Sequence, residues 1–125
     1  MAAFDLETTY LSLDGRGAVG VHPVGPDFWA TIGQNRDILG TLVTVSGGDR
    51  DWTSWEMHPQ GDEVLVLLEG RATMVLDGGR GETRHAMQPG TTLVIPKGTW
   101  HRALIAEPIR MLFVTYGAGT THRPL

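Results

Sequence analysis

The chain has 125 residues, 41% of them hydrophobic and 19% charged, enough for one domain with its own core and too few for two. Its seventeen glycines and seven prolines exceed the roughly 12% that average usage gives the two together, which leaves little room for long helices. A formal net charge of −4 argues against a nucleic-acid surface, and the lack of cysteine excludes disulfides, thiolate metal sites and a cysteine nucleophile.

Residues 1–37 are the least regular part. Short apolar stretches, Ala18 to Val21 and Phe28 to Ile32, are broken by Gly20, Pro23, Gly25, Pro26 and Gly33, and predict an N-terminal arm or one to three edge strands. From Ile38 the pattern sharpens. Leu39 to Ser46 is rich in β-branched residues and ends at Gly47-Gly48, a strand followed by a turn. Trp52 to His58 reads as a strand stopped by Pro59-Gln60-Gly61-Asp62, and Glu63 to Glu69 as a strand that Gly70 separates from Ala72 to Leu76. Asp77-Gly78-Gly79 is a hairpin signal. Glu82 to Gln88, Thr92 to Ile95, Trp100 to Ile105 and Ile109 to Thr115 complete the series, and residues 117–125 read as a C-terminal tail. No helical period stands out. Strands at this spacing predict an all-β sandwich or barrel over 38–116.

Alternation adds two expectations. Val64, Val66 and Leu68 share one face of their strand while Leu65 and Leu67 share the other, and Ile109 to Thr115 is likewise apolar on both sides. An outer face of that kind needs a cover, from the N-terminal segment, a second sheet or another subunit, and a homodimer is the favoured expectation. The longest unbroken apolar run, Val64 to Leu68, is far too short to span a membrane as a helix. With no basic, apolar leader in the first residues, a cytoplasmic location is expected.

Two segments carry the chemistry. Glu56 and His58 are two apart, so on a strand they face the same way, and Glu63 follows across a Pro/Gly turn. Farther on, Gly90, Pro96, Gly98 and His101 place a histidine at the start of a strand just after a tight turn. Two imidazoles and two carboxylates on neighbouring strand ends could converge on one divalent ion. Trp52 has the parity of Glu56 and His58, while Trp55 and Met57 read as core or interface. Leu65, Ala103 and Ile105 complete the expected pocket wall, and His22, His85 and His122 read as surface or loop residues.

These residues resemble the cupin superfamily. Its first motif, Gly-x5-His-x-His-x(3,4)-Glu-x6-Gly, is matched at His58, Glu63 and Gly70; its second, Gly-x5-Pro-x-Gly-x2-His-x3-Asn, at Gly90, Pro96, Gly98 and His101. Glu56 stands where the family has the first histidine, Ile105 where it has the asparagine, and Arg50 where the first motif opens on glycine. The resemblance implies a small jelly-roll β-barrel, a double-stranded β-helix, with one divalent metal (Fe, Mn, Zn or Ni) inside. It carries over His58, Glu63 and His101 as ligands, with Glu56 at the fourth ligand position. Glu56 either completes the set or hangs back as a general acid or base beside a triad. Alternatively the histidines are satisfied without metal and Glu56 is their salt-bridge partner. The expected function is a metal-dependent enzyme acting on a small organic molecule, of dioxygenase, isomerase or lyase type. The rival is a non-catalytic module that binds a sugar or metabolite.

Overall fold

The computed structural model describes residues 2–125 and places nine strands in one antiparallel sheet system. In chain order these are β1 (Thr9–Leu13), β2 (Val19–Pro23), a one-turn helix α1 (Phe28–Thr31) running into a 3-10 turn (Ile32–Gln34), β3 (Thr41–Gly48), β4 (Ser54–Met57) and β5 (Glu63–Asp77). Then follow β6 (Glu82–Met87), β7 (Thr92–Ile95), β8 (Trp100–Thr115) and β9 (Thr121–Pro124). The order β2-β1-β3-β8-β4-β9, with β5 pairing β6, β7 and β8, is the jelly-roll arrangement. The expected barrel is corrected in one respect: β2, β6, β7 and β9 each pair with a single strand, so the ladder does not close into a ring.

Two long strands organise everything else. The four segments that the sequence separates at Gly70 and Pro108 are two continuous strands, β5 and β8, paired from Glu63↔Thr115 to Asp77↔Trp100. The register shifts between Leu67 and Ala72, where both strands bend. Gly70 sits at this bend with φ +86°, and a Cβ there would run into the Pro108 carbonyl, so only glycine fits. The alternation of side chains then fills the interior: Leu65, Leu67, Met74, Ala103 and Met111 are completely buried. Each of the leucine and methionine side chains among these contributes roughly 1.5–3 kcal/mol relative to exposure.

The opposite face of the same strands is also aliphatic. Val21, Leu11, Val43, Val114, Val64 and Val94 lie opposite one another in register across β2, β1, β3, β8, β5 and β7. Val94 is exposed and the other five are half-buried.

The N-terminal strands are as expected, and both chain ends add structure beyond them. The N-terminal residues form β1 and β2 and also α1, which packs Phe28 edge-on against Tyr10 at 5.1 Å in a second small core with Leu42. Four helical residues are too few to display a 3.6-residue period. The expected C-terminal tail contains β9, which pairs with β4 from Ser54↔Pro124 to Met57↔Thr121. Its Arg123 guanidinium lies 4.5 Å from the Trp100 ring centre and 5.1 Å from that of Trp55, and Arg102 covers Trp55 at 5.0 Å. These cation–π contacts fasten the last strand to its neighbours. No helix among the described residues is long and apolar enough to cross a membrane.

Candidate metal centre

The two turns that follow β4 and β7 are laced together. Asp62 accepts the Lys97 N–H at 2.8 Å, and the His58 carbonyl accepts the Gly98 N–H at 2.9 Å. This pairing brings the end of β4, the start of β5 and the start of β8 to one place. Glu56 lies directly opposite His101 on β8, and opposite His122 on β9.

The structure brings all four expected residues, Glu56, His58, Glu63 and His101, into contact. Donor atoms of Glu56, His58 and His101 lie within 4.8 Å of one another. His58 Nε2 is 3.2 Å from Glu56 Oε1 and 3.2 Å from Glu63 Oε2, while His101 Nε2 is 3.3 Å from Glu63 Oε1. His58, Glu63 and His101 are buried; Glu56 keeps about a quarter of its side chain exposed.

Hydrogen bonding fixes which nitrogen of each ring faces inward. His101 Nδ1 is 3.0 Å from the Thr99 carbonyl, which can only accept, so Nδ1 carries the proton. His58 Nδ1 is 2.7 Å from Thr120 Oγ1, and that hydroxyl donates to the Gly117 carbonyl at 2.7 Å, so it accepts from His58. Both Nε2 lone pairs therefore point at the carboxylates. His58 Nε2, His101 Nε2 and Glu63 Oε1 are buried with no hydrogen-bond partner. Three orphaned acceptors at one point are costly unless a cation joins them. Donors bound to one ion at about 2.0–2.2 Å stand roughly 3 Å apart, and the three ion-pair separations of 3.2, 3.2 and 3.3 Å are of that size. The residues present fit a divalent metal.

Electrostatics agree. Burial pushes the Glu63 carboxyl up, but His101, His58 and the Thr115 hydroxyl outweigh it and hold the group at about 2. Thr115 Oγ1 donates to Glu63 Oε2 at 2.5 Å. Burial pushes His101 down, and the neighbouring Glu63 carboxylate more than compensates, leaving it raised.

A cavity of about 780 Å3 adjoins the centre, with Glu56, Glu63 and Trp52 on its wall. Trp52 lies on this wall and also packs on the main core, its ring centre 6.1 Å from that of His101. The remaining wall expectations need correcting. Leu65 and Ala103 are wholly buried in the main core cluster and do not line this cavity, and Ile105 lines a smaller adjoining one that shares Ser46, Trp52 and Phe113 with it. In their place Phe113, Tyr116 and the N-terminal Trp29 supply apolar wall. His22 is also corrected: it is buried and bonded to Ser12 Oγ at 2.7 Å. His122 is exposed as expected, yet it stands at the cavity rim, 3.9 Å from Glu56 Oε2. Thr120, which orients His58 from 62 residues away, carries no signal in the sequence.

Comparison with known proteins places this geometry in a family. The model for the cupin domain matches residues 41–115. Among curated proteins, the uncharacterised protein L612 of Acanthamoeba polyphaga mimivirus is 33% identical over 63 residues, covering 50% of this chain and 39% of that protein. The uncharacterised YdbB of Bacillus subtilis is 37% identical over 60 residues, covering 48% of each. The chain thus spans less than half the length of these two relatives. Among solved structures, oxalate decarboxylase of Bacillus subtilis, a protein with Mn(II) centres, superposes with a TM-score of 0.58 at 16% identity. That match covers 69% of this chain and 24% of the decarboxylase, and shows a shared fold. With both motifs and the jelly-roll topology in place, the chain belongs to the cupin family.

Proposed function

We propose that Glu56, His58, Glu63 and His101 hold one divalent first-row metal ion, and that the protein is a metal-dependent enzyme acting on a small organic molecule. The observation that carries this reading is the meeting of His58 Nε2, His101 Nε2 and Glu63 Oε1, buried and without hydrogen-bond partners. Two imidazoles and two carboxylates suit Fe, Mn, Zn or Ni better than a soft-ligand copper site. When bound, such an ion supplies Lewis acidity toward substrate oxygens, and iron or manganese adds the capacity for oxygen chemistry.

The chain's own residues divide the work. His58, Glu63 and His101, buried and tied back by Thr120, Thr115 and Thr99, form the fixed part of the set. Glu56 is the adaptable member. It is partly exposed on the cavity wall, between His101 and His122 in one cross-strand row. It is placed to take a proton from a molecule in the cavity, or to return one. A cavity of about 780 Å3 is of the size that holds a single small molecule. The aromatic wall equally serves a binding module without turnover, and assays for product formation with the metal-loaded protein separate the two.

Elemental analysis of untagged protein tests the centre, with near one equivalent of Fe, Mn, Zn or Ni per chain as the expected result. An empty protein that also refuses added metal overturns it. We also propose a homodimer through the aliphatic row Val21–Leu11–Val43–Val114–Val64–Val94. Sedimentation should show a dimer that Val64→Glu dissociates; a monomeric wild type rejects it.

A further inference from the structure

The cavity beside the metal centre has a composition that restricts what can enter it. Trp29, Trp52, Phe113 and Tyr116 bring four aromatic side chains to its lining, and Ile32 and Leu42 add aliphatic surface. Thr44 and Ser46 contribute hydroxyls without charge. Among the described residues, no lysine or arginine lines it. Several guanidiniums are engaged elsewhere: Arg102 and Arg123 lie on tryptophan faces, Arg71 pairs with Glu107, and Arg110 sits between Glu7 and Glu69. Arg50 lines an adjoining cavity of about 230 Å3, which shares Ser46, Trp52 and Phe113 with the larger one, and Asp49 accompanies it there. His122, the remaining cationic candidate at the rim, faces Glu56.

The charge balance points the same way. Glu56 and Glu63 together neutralise a divalent ion, and the two imidazoles are neutral when they ligate. An anionic ligand entering here meets two carboxylates and no lysine or arginine on the wall, and it leaves its own hydration behind. A flat apolar body finds aromatic faces to pack against.

Building on the metal-centre reading above, we infer that this cavity selects an uncharged molecule with an aromatic or similarly flat apolar body, its oxygen-bearing head turned toward Glu56 and Glu63. Small dianions and sugar phosphates are thereby excluded as substrates. The class that remains comprises neutral phenols, carbonyl compounds, amides and alcohols carrying a ring.

Isothermal titration of the metal-loaded protein with 2-naphthamide and 2-naphthoate tests this. The two probes share a ring system and differ in the charge of the head. The amide is expected to bind at least tenfold more tightly. Trp29→Ala, a change at the exposed rim, should weaken the amide at least threefold while leaving metal content unchanged. Ser46→Lys, which puts a cation on the wall, should shift the preference toward the naphthoate. Tighter binding of the naphthoate by the wild type, or no saturable binding of either probe, overturns the inference. Metal content measured on the same samples keeps the two readings apart: metal present with the anion preferred sinks only this one, and metal absent sinks the centre itself.

Discussion

Two buried histidine sites in this molecule look alike by burial and differ in what their nitrogens meet. His22, between β1 and β2, has Nε2 bonded to Ser12 Oγ, which also accepts the Leu39 N–H at 3.0 Å. That site is satisfied within the chain; it pins the N-terminal hairpin to the loop before β3. His58 and His101 are equally buried, but their Nδ1 atoms are tied back and their Nε2 atoms are orphaned beside Glu63. Burial alone thus says little about chemistry. The unsatisfied atom, held in place by a satisfied one on the same ring, marks the site.

That contrast can be broken at several points. The largest effect is expected at His101→Ala, which removes a ligand outright and should drop metal content from near one equivalent to near zero. Glu56→Ala should weaken binding less, since Glu56 is partly exposed and the three buried donors remain. Equal metal content in wild type and His101→Ala rejects the assignment. Thr120→Val leaves every ligand in place and frees the His58 ring. Metal affinity should fall about 10- to 100-fold by competition with a chelator, the usual cost of losing such an outer partner.

Acid stability gives a smaller, signed effect. Glu63 is held at about 2 in the metal-free fold, below its value in the unfolded chain. Its contribution is therefore complete above about pH 4.5 and is lost as pH falls toward 2. Urea unfolding of the metal-free protein should show this loss in wild type and a flatter profile in Glu63→Gln; parallel profiles contradict it. The smallest change is expected at His22→Ala. Losing the hydrogen bond and some packing should cost about 1–2 kcal/mol of stability with metal content untouched. If metal disappears as well, the two sites are not independent.

The sequence makes the centre legible and its supports obscure, for a physical reason. Glu56, His58, Glu63 and His101 sit at short, regular offsets from glycine and proline turns, and turns are written locally. Gly90 and Gly98 adopt positive φ at two such turns. Residues that act across the fold have no local signature. Thr120 is one of several threonines, and β9 (Thr-His-Arg-Pro) shows no hydrophobic alternation because its hold comes from Arg123 against two tryptophans. Leu65 and Ala103 have the parity of the site, yet lie where the interior is filled with side chains. Parity fixes the face of a strand and leaves open how deep along it a residue sits. The sequence divides each long strand in two because glycine and proline usually end a strand, whereas here they bend two partners together.

The docking of β9 also bears on when the centre can be completed. The ligands span residues 56 to 101, but the hydroxyl that sets the His58 ring is on Thr120, and the strand that carries it closes over β4. During synthesis the chain emerges from its N-terminal end, so all four ligands are made before the residue that aims one of them. At the proposed centre, ion capture would therefore be a late event in maturation, coupled to the docking of β9 rather than to the appearance of the ligands. A nascent or incompletely folded chain would hold metal loosely and give it up readily, and retention would begin once the last strand is seated.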